Sequence, residues 1–417
     1  MQKFWRLLCL GCCLITGGGR FLTGVRAQAV PGAERMSLYL PLLKGKRVAV
    51  FANQTSMVGD THLVDTLMRS GINIVRIFSP EHGFRGNADA GEHVSSARDS
   101  ATGLQVVSLY GAHLIPSPAE LRDVDILLFD IQDVGVRFYT YISSLQYYLQ
   151  AAIENGKPLI LLDRPNPNSF YVDGPVLDPK FKSFVGMQPV PVVYGMTLGE
   201  YANMLLGEGW VAPAAKVGLP PVIIQTTPSA KTIPPGFSLT LIPCAHYTHH
   251  THYRLPVKPS PNLPDMQSVY LYPSLCLFEG TAISLGRGTD KPFRCFGHPS
   301  FGETGYRFTP HSMPGAKDPP LKDQICNGYD LSAPSDVALL KELDGRLQLK
   351  WLLEAYRLFP DKAAFFAKSG YFDKLAGTGS LAEQIRAGLS EAAIRRSWAP
   401  GLAAFRLIRV KYLIYPE

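Results

Sequence analysis

Short apolar runs alternate with longer amphipathic stretches through the first half of the chain. Residues 47–52, 74–78, 105–109, 125–129 and 158–162 are rich in Val, Ile, Leu and Phe and too short for helices, which predicts five strands. Between them, residues 62–70 and 143–155 place apolar side chains at helical spacing and stop at Gly71 and Gly156. Strands separated by helices predict an α/β fold, a parallel sheet covered on both faces. Residues 198–206 predict a further helix and 222–225 an edge strand. Loop-like, Pro- and Gly-rich sequence at 211–221 and 226–236 puts a domain boundary near 235–245. An α/β domain at 36–240 and a smaller α+β domain at 241–417 are therefore expected. In the second domain, residues 337–347, 351–358 and 380–391 predict amphipathic helices and 406–413 short strands.

Polar, turn-forming residues follow each predicted strand. Asn53-Gln54-Thr55 comes after the first and Ser79-Pro80-Glu81-His82-Gly83-Phe84-Arg85-Gly86 after the second. Tyr110-Gly111 follows the third, Asp130 through Thr140 the fourth, and Asp163-Arg164-Pro165-Asn166-Pro167 the fifth. Such loops gather at the carboxyl edge of a parallel sheet, where open α/β folds bind ligands. Glu81, Asp89 and Glu92 put three carboxylates within twelve positions. Crowded carboxylates can separate into an acid and a base near neutral pH, whereas a solvated acidic loop with glycine turns would need no function. The first strand lacks a following G-x-G-x-x-G and no P-loop occurs, so no nucleotide or other cofactor is expected.

Two later segments carry chemistry. His246, His249, His250 and His252 tempt a metal assignment, but no nearby Asp, Glu or Cys completes a ligand set, and no metal is expected. Glu279-Gly280-Thr281 is followed by Gly286-Arg287-Gly288-Thr289, in which Arg287 could fork onto a substrate carboxylate or pair with a structural acid.

Composition sharpens this picture in two places. The chain has 417 residues, 46% of them hydrophobic, a length that suggests two domains. Its formal charge is +7, of which Lys3, Arg6, Arg20 and Arg26 supply +4 within residues 1–29, leaving +3 for the rest and no case for a nucleic-acid partner. Those first residues read as a signal peptide: a basic start, an apolar stretch at 7–16, and Ala27-Gln28-Ala29 as a cleavage site. Export to the periplasm is expected, with lipidation at Cys12 or Cys13 as the alternative and no membrane-spanning segment in the mature chain. Cys244, Cys276, Cys295 and Cys326 lack metal spacing and could be thiols or form one or two disulfides.

At these motifs the chain resembles the bacterial exo-β-N-acetylmuramidases of the NamZ type. The residues concerned are Ser79-Pro80-Glu81-His82-Gly83 with Ala88-Asp89-Ala90-Gly91-Glu92, the run from Asp130 to Tyr141, Asp163 to Pro167, and Glu279-Gly280-Thr281 with Gly286 to Thr289. The resemblance runs from about residue 40 to the C-terminus and departs from the family in the His-rich approach to Ser260-Pro261-Asn262. It implies a Rossmann-like N-terminal domain, a smaller C-terminal domain and an active-site cleft between them. It also implies release of terminal β-linked N-acetylmuramic acid from peptidoglycan fragments such as MurNAc-GlcNAc. On that match Glu81 is the expected acid/base and Glu279 its partner, with Asp130, Asp133 and Glu92 as rivals. The substrate's own acetamido group is a further alternative, and retaining and inverting outcomes stay open. Arg137, Arg287, Arg85 and Arg164 are candidates to accept the lactyl carboxylate, and Tyr139 and Tyr194 to wall the sugar ring. His82, Asp89, Glu92, Asp163, Asn166 and Asn262 complete the expected contacts. A non-catalytic peptidoglycan-binding protein is the competing reading; a peptidase is disfavoured because neither G-x-S-x-G nor H-E-x-x-H occurs.

Overall fold

Seven strands run parallel in one sheet, with an eighth antiparallel at the edge. In this computed structural model, residues 28–86, 97–211 and 237–417 are described, together with the backbone of 222–223. The expected leader therefore lies outside the described residues except for Gln28 and Ala29. Across the sheet the strands run Ala97–Arg98, Gln105–Ser108, Asn73–Ser79, Arg47–Ala52, Ile126–Asp130, Leu159–Leu162, Leu239–Ile242 and Val222–Ile223. All neighbours are parallel except the first pair. The chain steps outward from Arg47–Ala52 in one direction, then resumes on its other side with Ile126–Asp130. That reversal opens the crevice in which doubly wound sheets hold ligands.

Alternation along each strand builds two cores. Ala49, Phe51, Leu127, Phe129, Leu159 and Leu161 face one layer, which continues into the second domain through Leu271 and Phe278. Val48, Val50, Leu128, Ile160 and Leu162 face the other, against Leu63, Val64 and Leu67 of the helix Leu63–Arg69. The helix Tyr141–Glu154 buries Leu145, Tyr148 and Leu149 on the first layer.

The five expected strands and the helices near 62–70, 143–155 and 198–206 are present. Leu239–Ile242, inside the segment read as a domain boundary, is a buried strand of the main sheet. The short strands expected at 406–413 are replaced by the end of the helix Glu391–Arg409 and a 3₁₀ turn. Ile394, Trp398, Leu402 and Phe405 recur at helical spacing and are buried, and this outweighs the β-branched residues Ile408 and Val410. A small antiparallel sheet of Cys295–His298, Cys326–Asp330 and Tyr306–Phe308 completes the second domain.

The C-terminal helix returns to the first domain. Arg395 Nη1 lies 2.8 Å from Asp173 Oδ2, and Arg409 Nε donates to Gly195 O at 2.9 Å. The tail closes the structure: Tyr415 Oη donates to Asp163 Oδ2 at 2.6 Å, and the Ile414 amide to Glu200 Oε1 at 2.9 Å. No described helix is long and apolar enough to cross a membrane.

Candidate active site

A cavity of about 240 Å³ opens where the carboxyl edge of the sheet meets the second domain. Glu81 enters it from the loop after Asn73–Ser79. His82, Gly83 and Gly86 adopt left-handed backbone there, with φ of 68°, 74° and 72°. The non-glycine His82 bears a local cost that the surrounding packing must offset. Phe84 anchors the loop, buried with its ring edge-on to His62 at 4.9 Å. Glu81 accepts a hydrogen bond from Tyr110 Oη at 3.0 Å on Oε1, and Thr140 Oγ1 lies 3.5 Å from Oε2. His82 Nε2 is 3.4 Å from Ser260 Oγ.

Glu279 enters the cavity from the second domain, on the 3₁₀ turn Cys276–Gly280 that continues the helix Met266–Leu275. Arg287 clamps its Oε1 through Nε at 3.1 Å and Nη2 at 2.5 Å. The flanking glycines are required. Gly286 and Gly288 have φ of 80° and 82°, and a Cβ on Gly286 would lie 2.6 Å from both Cys295 Sγ and the Lys291 carbonyl oxygen. The Arg287 guanidinium rests 4.9 Å over the Phe293 ring.

An aromatic floor joins the two carboxylates. Tyr141 packs on Tyr139 at 4.8 Å, Tyr139 on Tyr272 at 5.8 Å and Tyr272 on Phe293 at 4.9 Å, each ring steeply inclined to the next. Tyr139 Oη is tied to Pro259 O at 2.6 Å. Burial pushes the phenol pKa of Tyr139, Tyr141 and Tyr272 upward, so these rings stay neutral. The floor combines apolar faces with fixed hydroxyls, the lining a sugar ring needs.

Of the residues expected at the site, Glu81, His82, Tyr139, Glu279 and Arg287 line this cavity. Others are placed elsewhere, and burial is the common reason. Asp130 and Arg164 form a two-pronged pair, Nε to Oδ1 at 2.6 Å and Nη2 to Oδ2 at 2.8 Å, with both side chains buried. Asp133 accepts from Tyr194 Oη and from the Gly135 amide, and burial raises its pKa to about 7. Tyr194 is thus a buried bond donor rather than a wall for the ring. Asp163 bonds Thr197, Gly199 and Tyr415 at the start of the helix Leu198–Gly207, and burial raises it to about 6. Asn166 braces the Met196 carbonyl. Arg137 is wholly buried and donates to the carbonyls of Pro175, Val190 and Leu375, which fastens the two domains together. Burial pushes its pKa down to about 9.

Arg85 is paired with Asp99 through Nε at 3.0 Å and Nη2 at 2.8 Å and borders a separate hollow beside Lys258. Asn262 holds the Gly315 carbonyl at 2.8 Å. Asp89 and Glu92 lie outside the described residues. His249 of the His-rich segment is buried 3.0 Å from Glu200 Oε1. Among the described residues no cluster of His, Cys, Asp and Glu could hold a metal ion, and the four described cysteines are buried thiols. The cavity also recruits residues not singled out from sequence. Tyr110 and Thr140 stand in loops already marked as polar, but Phe184 and Tyr371 come from segments with no motif to flag them.

Comparison with known proteins agrees in extent and in domain order. Residues 48–267 match the family described as exo-beta-N-acetylmuramidase NamZ, N-terminal, and residues 270–415 its C-terminal counterpart. The chain is 38% identical over 397 residues to the peptidoglycan beta-N-acetylmuramidase NamZ of Bacillus subtilis (strain 168), spanning 90% of this chain and 89% of that protein. Two crystal structures of DUF1343 family proteins from Bacteroides fragilis NCTC 9343 share the fold. They are 44% and 26% identical, with TM-scores of 0.81 and 0.73, and each alignment covers 94% of this chain and all of the other.

Proposed function

The chain belongs to the NamZ exo-β-N-acetylmuramidase family and is a glycoside hydrolase acting on peptidoglycan, and we propose that it releases single β-linked N-acetylmuramic acid residues from the non-reducing end of glycan fragments. One observation carries this reading: Glu81 and the Glu279–Arg287 pair meet from different domains in one small cavity over an aromatic floor. The size of the cavity suits a terminal residue better than a run of chain. Glu81 protonates the leaving oxygen, and Glu279 serves as the second carboxylate. Asp130 is a poor rival because both of its oxygens are bound by Arg164, and Asp133 because it is buried away from the cavity lining with Oδ2 held by Tyr194 and the Gly135 amide. Export is part of the same proposal. A leader at residues 1–29 would put the enzyme beyond the inner membrane with its polymer, which the N-terminus of protein from the periplasmic fraction would check.

The test is hydrolysis of a chromogenic β-N-acetylmuraminide beside the matching β-N-acetylglucosaminide. Turnover of the muraminide alone supports the reading, whereas binding of muropeptides without cleavage of either substrate refutes it.

Arg287 is the residue we assign to the lactyl carboxylate. Nε and Nη2 are spent on Glu279, while Nη1 makes no hydrogen bond among the described residues. Product inhibition checks this. Wild type should bind N-acetylmuramic acid roughly tenfold more tightly than its methyl ester, the value of one charge-assisted hydrogen bond. Arg287→Met should bring the two inhibition constants together; a preference that survives in the variant removes Arg287 from the role.

A further inference from the structure

Glu81 is held by a residue from the neighbouring strand. Asn73–Ser79 and Gln105–Ser108 are adjacent and parallel, with Ser79 opposite Ser108, so their loops leave the sheet at the same level. The Leu109 amide donates to Ser79 O at 2.8 Å, extending the ladder one residue past the strand. Tyr110 is thereby brought beside Glu81 and donates to Oε1 at 3.0 Å. Its ring is supported by Phe184, with centroids 6.2 Å apart. Thr140 lies on the other side of the carboxyl, 3.5 Å from Oε2.

We propose that Tyr110 is a positioning residue for the acid: its hydroxyl occupies Glu81 Oε1, so that the transferable proton is carried on Oε2. The inference rests on the reading of Glu81 as general acid. A carboxyl group has two oxygens of nearly equal basicity and rotates freely about its last bond. A short O–H bond to one oxygen removes both ambiguities, because that oxygen is already occupied by a donor's hydrogen. A phenol suits this duty. Burial and the neighbouring carboxylate both push the Tyr110 pKa up, so the hydroxyl keeps its hydrogen throughout turnover. Among the described groups that line the cavity, Tyr110 donates to Oε1 at a distance within the range of a well-formed O–H···O contact.

The decisive measurement is kcat/KM of Tyr110→Phe on two substrates of different leaving ability. A MurNAc-GlcNAc disaccharide needs a proton on its departing oxygen, whereas a 2,4-dinitrophenyl β-N-acetylmuraminide departs as a stable anion and does not. Phe keeps the ring against Phe184 and removes the hydroxyl alone. The expected loss is roughly ten- to a hundredfold on the disaccharide and less than about threefold on the dinitrophenyl substrate, with KM little changed. Phe184→Ala, which withdraws support from the Tyr110 ring but leaves the bonding group, should show the same selective loss in a weaker form. Equal losses on the two substrates in Tyr110→Phe, or no loss on either, overturn the proposal. Failure of the underlying reading looks different: Glu81→Gln would then retain full turnover of the disaccharide, whatever Tyr110→Phe does.

Discussion

Glu81→Gln should lower kcat/KM on a β-N-acetylmuraminyl disaccharide by roughly 10²- to 10⁴-fold while leaving the protein as stable as wild type. Gln keeps the size of the side chain and an oxygen to accept from Tyr110, so the bond at 3.0 Å survives in form. It cannot give up a proton to the leaving oxygen, and that is the term lost. Glu81 is only half-buried and sits at the cavity surface, where an isosteric change of this kind moves stability by a few tenths of a kcal/mol. Paired kinetic and thermal-unfolding measurements check both halves. A variant that keeps more than a tenth of wild-type turnover on the disaccharide would take the acid role away from Glu81.

Asp130→Asn should fail in the opposite way, with a large loss of stability and little loss of chemistry in whatever folds. Asp130 and Arg164 hold each other at 2.6 and 2.8 Å with side chains 0% and 3% exposed. Water cannot replace the missing charge at that depth. Neutralising one partner leaves a buried guanidinium without its counter-charge, which costs about 3–5 kcal/mol. Arg164 also donates to Met57 O at 2.8 Å, so its displacement would loosen the loop after the first strand as well. Replacing both partners at once, as Asp130→Leu with Arg164→Met, should be milder than the single change because no charge is then stranded. Chemical denaturation of the three proteins measures this. A single variant as stable as wild type would mean the pair is solvated, and Asp130 would return as a candidate for the second catalytic group.

The contrast between these residues shows where a sequence stops being informative. Glu81 stands just beyond one strand and Asp130 ends another of the same sheet, each in a motif rich in carboxylates and glycines. By pattern they are equivalent. They differ because the strand ending at Asp130 is central, between Arg47–Ala52 and Leu159–Leu162, whose loop delivers Arg164 onto it. The strand before Glu81 is nearer the edge, and its loop turns outward through three left-handed residues to meet the second domain. Arg137 and Arg287 make the same point for cations. One is enclosed by backbone carbonyls and fastens the domains; the other is turned by two glycines onto an aromatic ring at the cavity.

The order of strands and helices in the first domain, the edge of the sheet where the polar loops gather, and the choice of Glu81, His82, Tyr139, Glu279 and Arg287, which line one cavity there, were legible in the sequence. Each depends on local periodicity or on a motif whose residues are near neighbours in the chain. The tertiary structure alone decided which motif residues reach the cavity and which are consumed as buried struts. It also decided that Tyr110, Phe184 and Tyr371 join the site, that residues 239–242 belong to the sheet, and that residues 406–409 are helical. These outcomes depend on partners far away in the chain, such as Asp130 with Arg164, Arg137 with Leu375 and Asp163 with Tyr415. A buried polar group must find its bond wherever the fold supplies one, and no local pattern records where that will be.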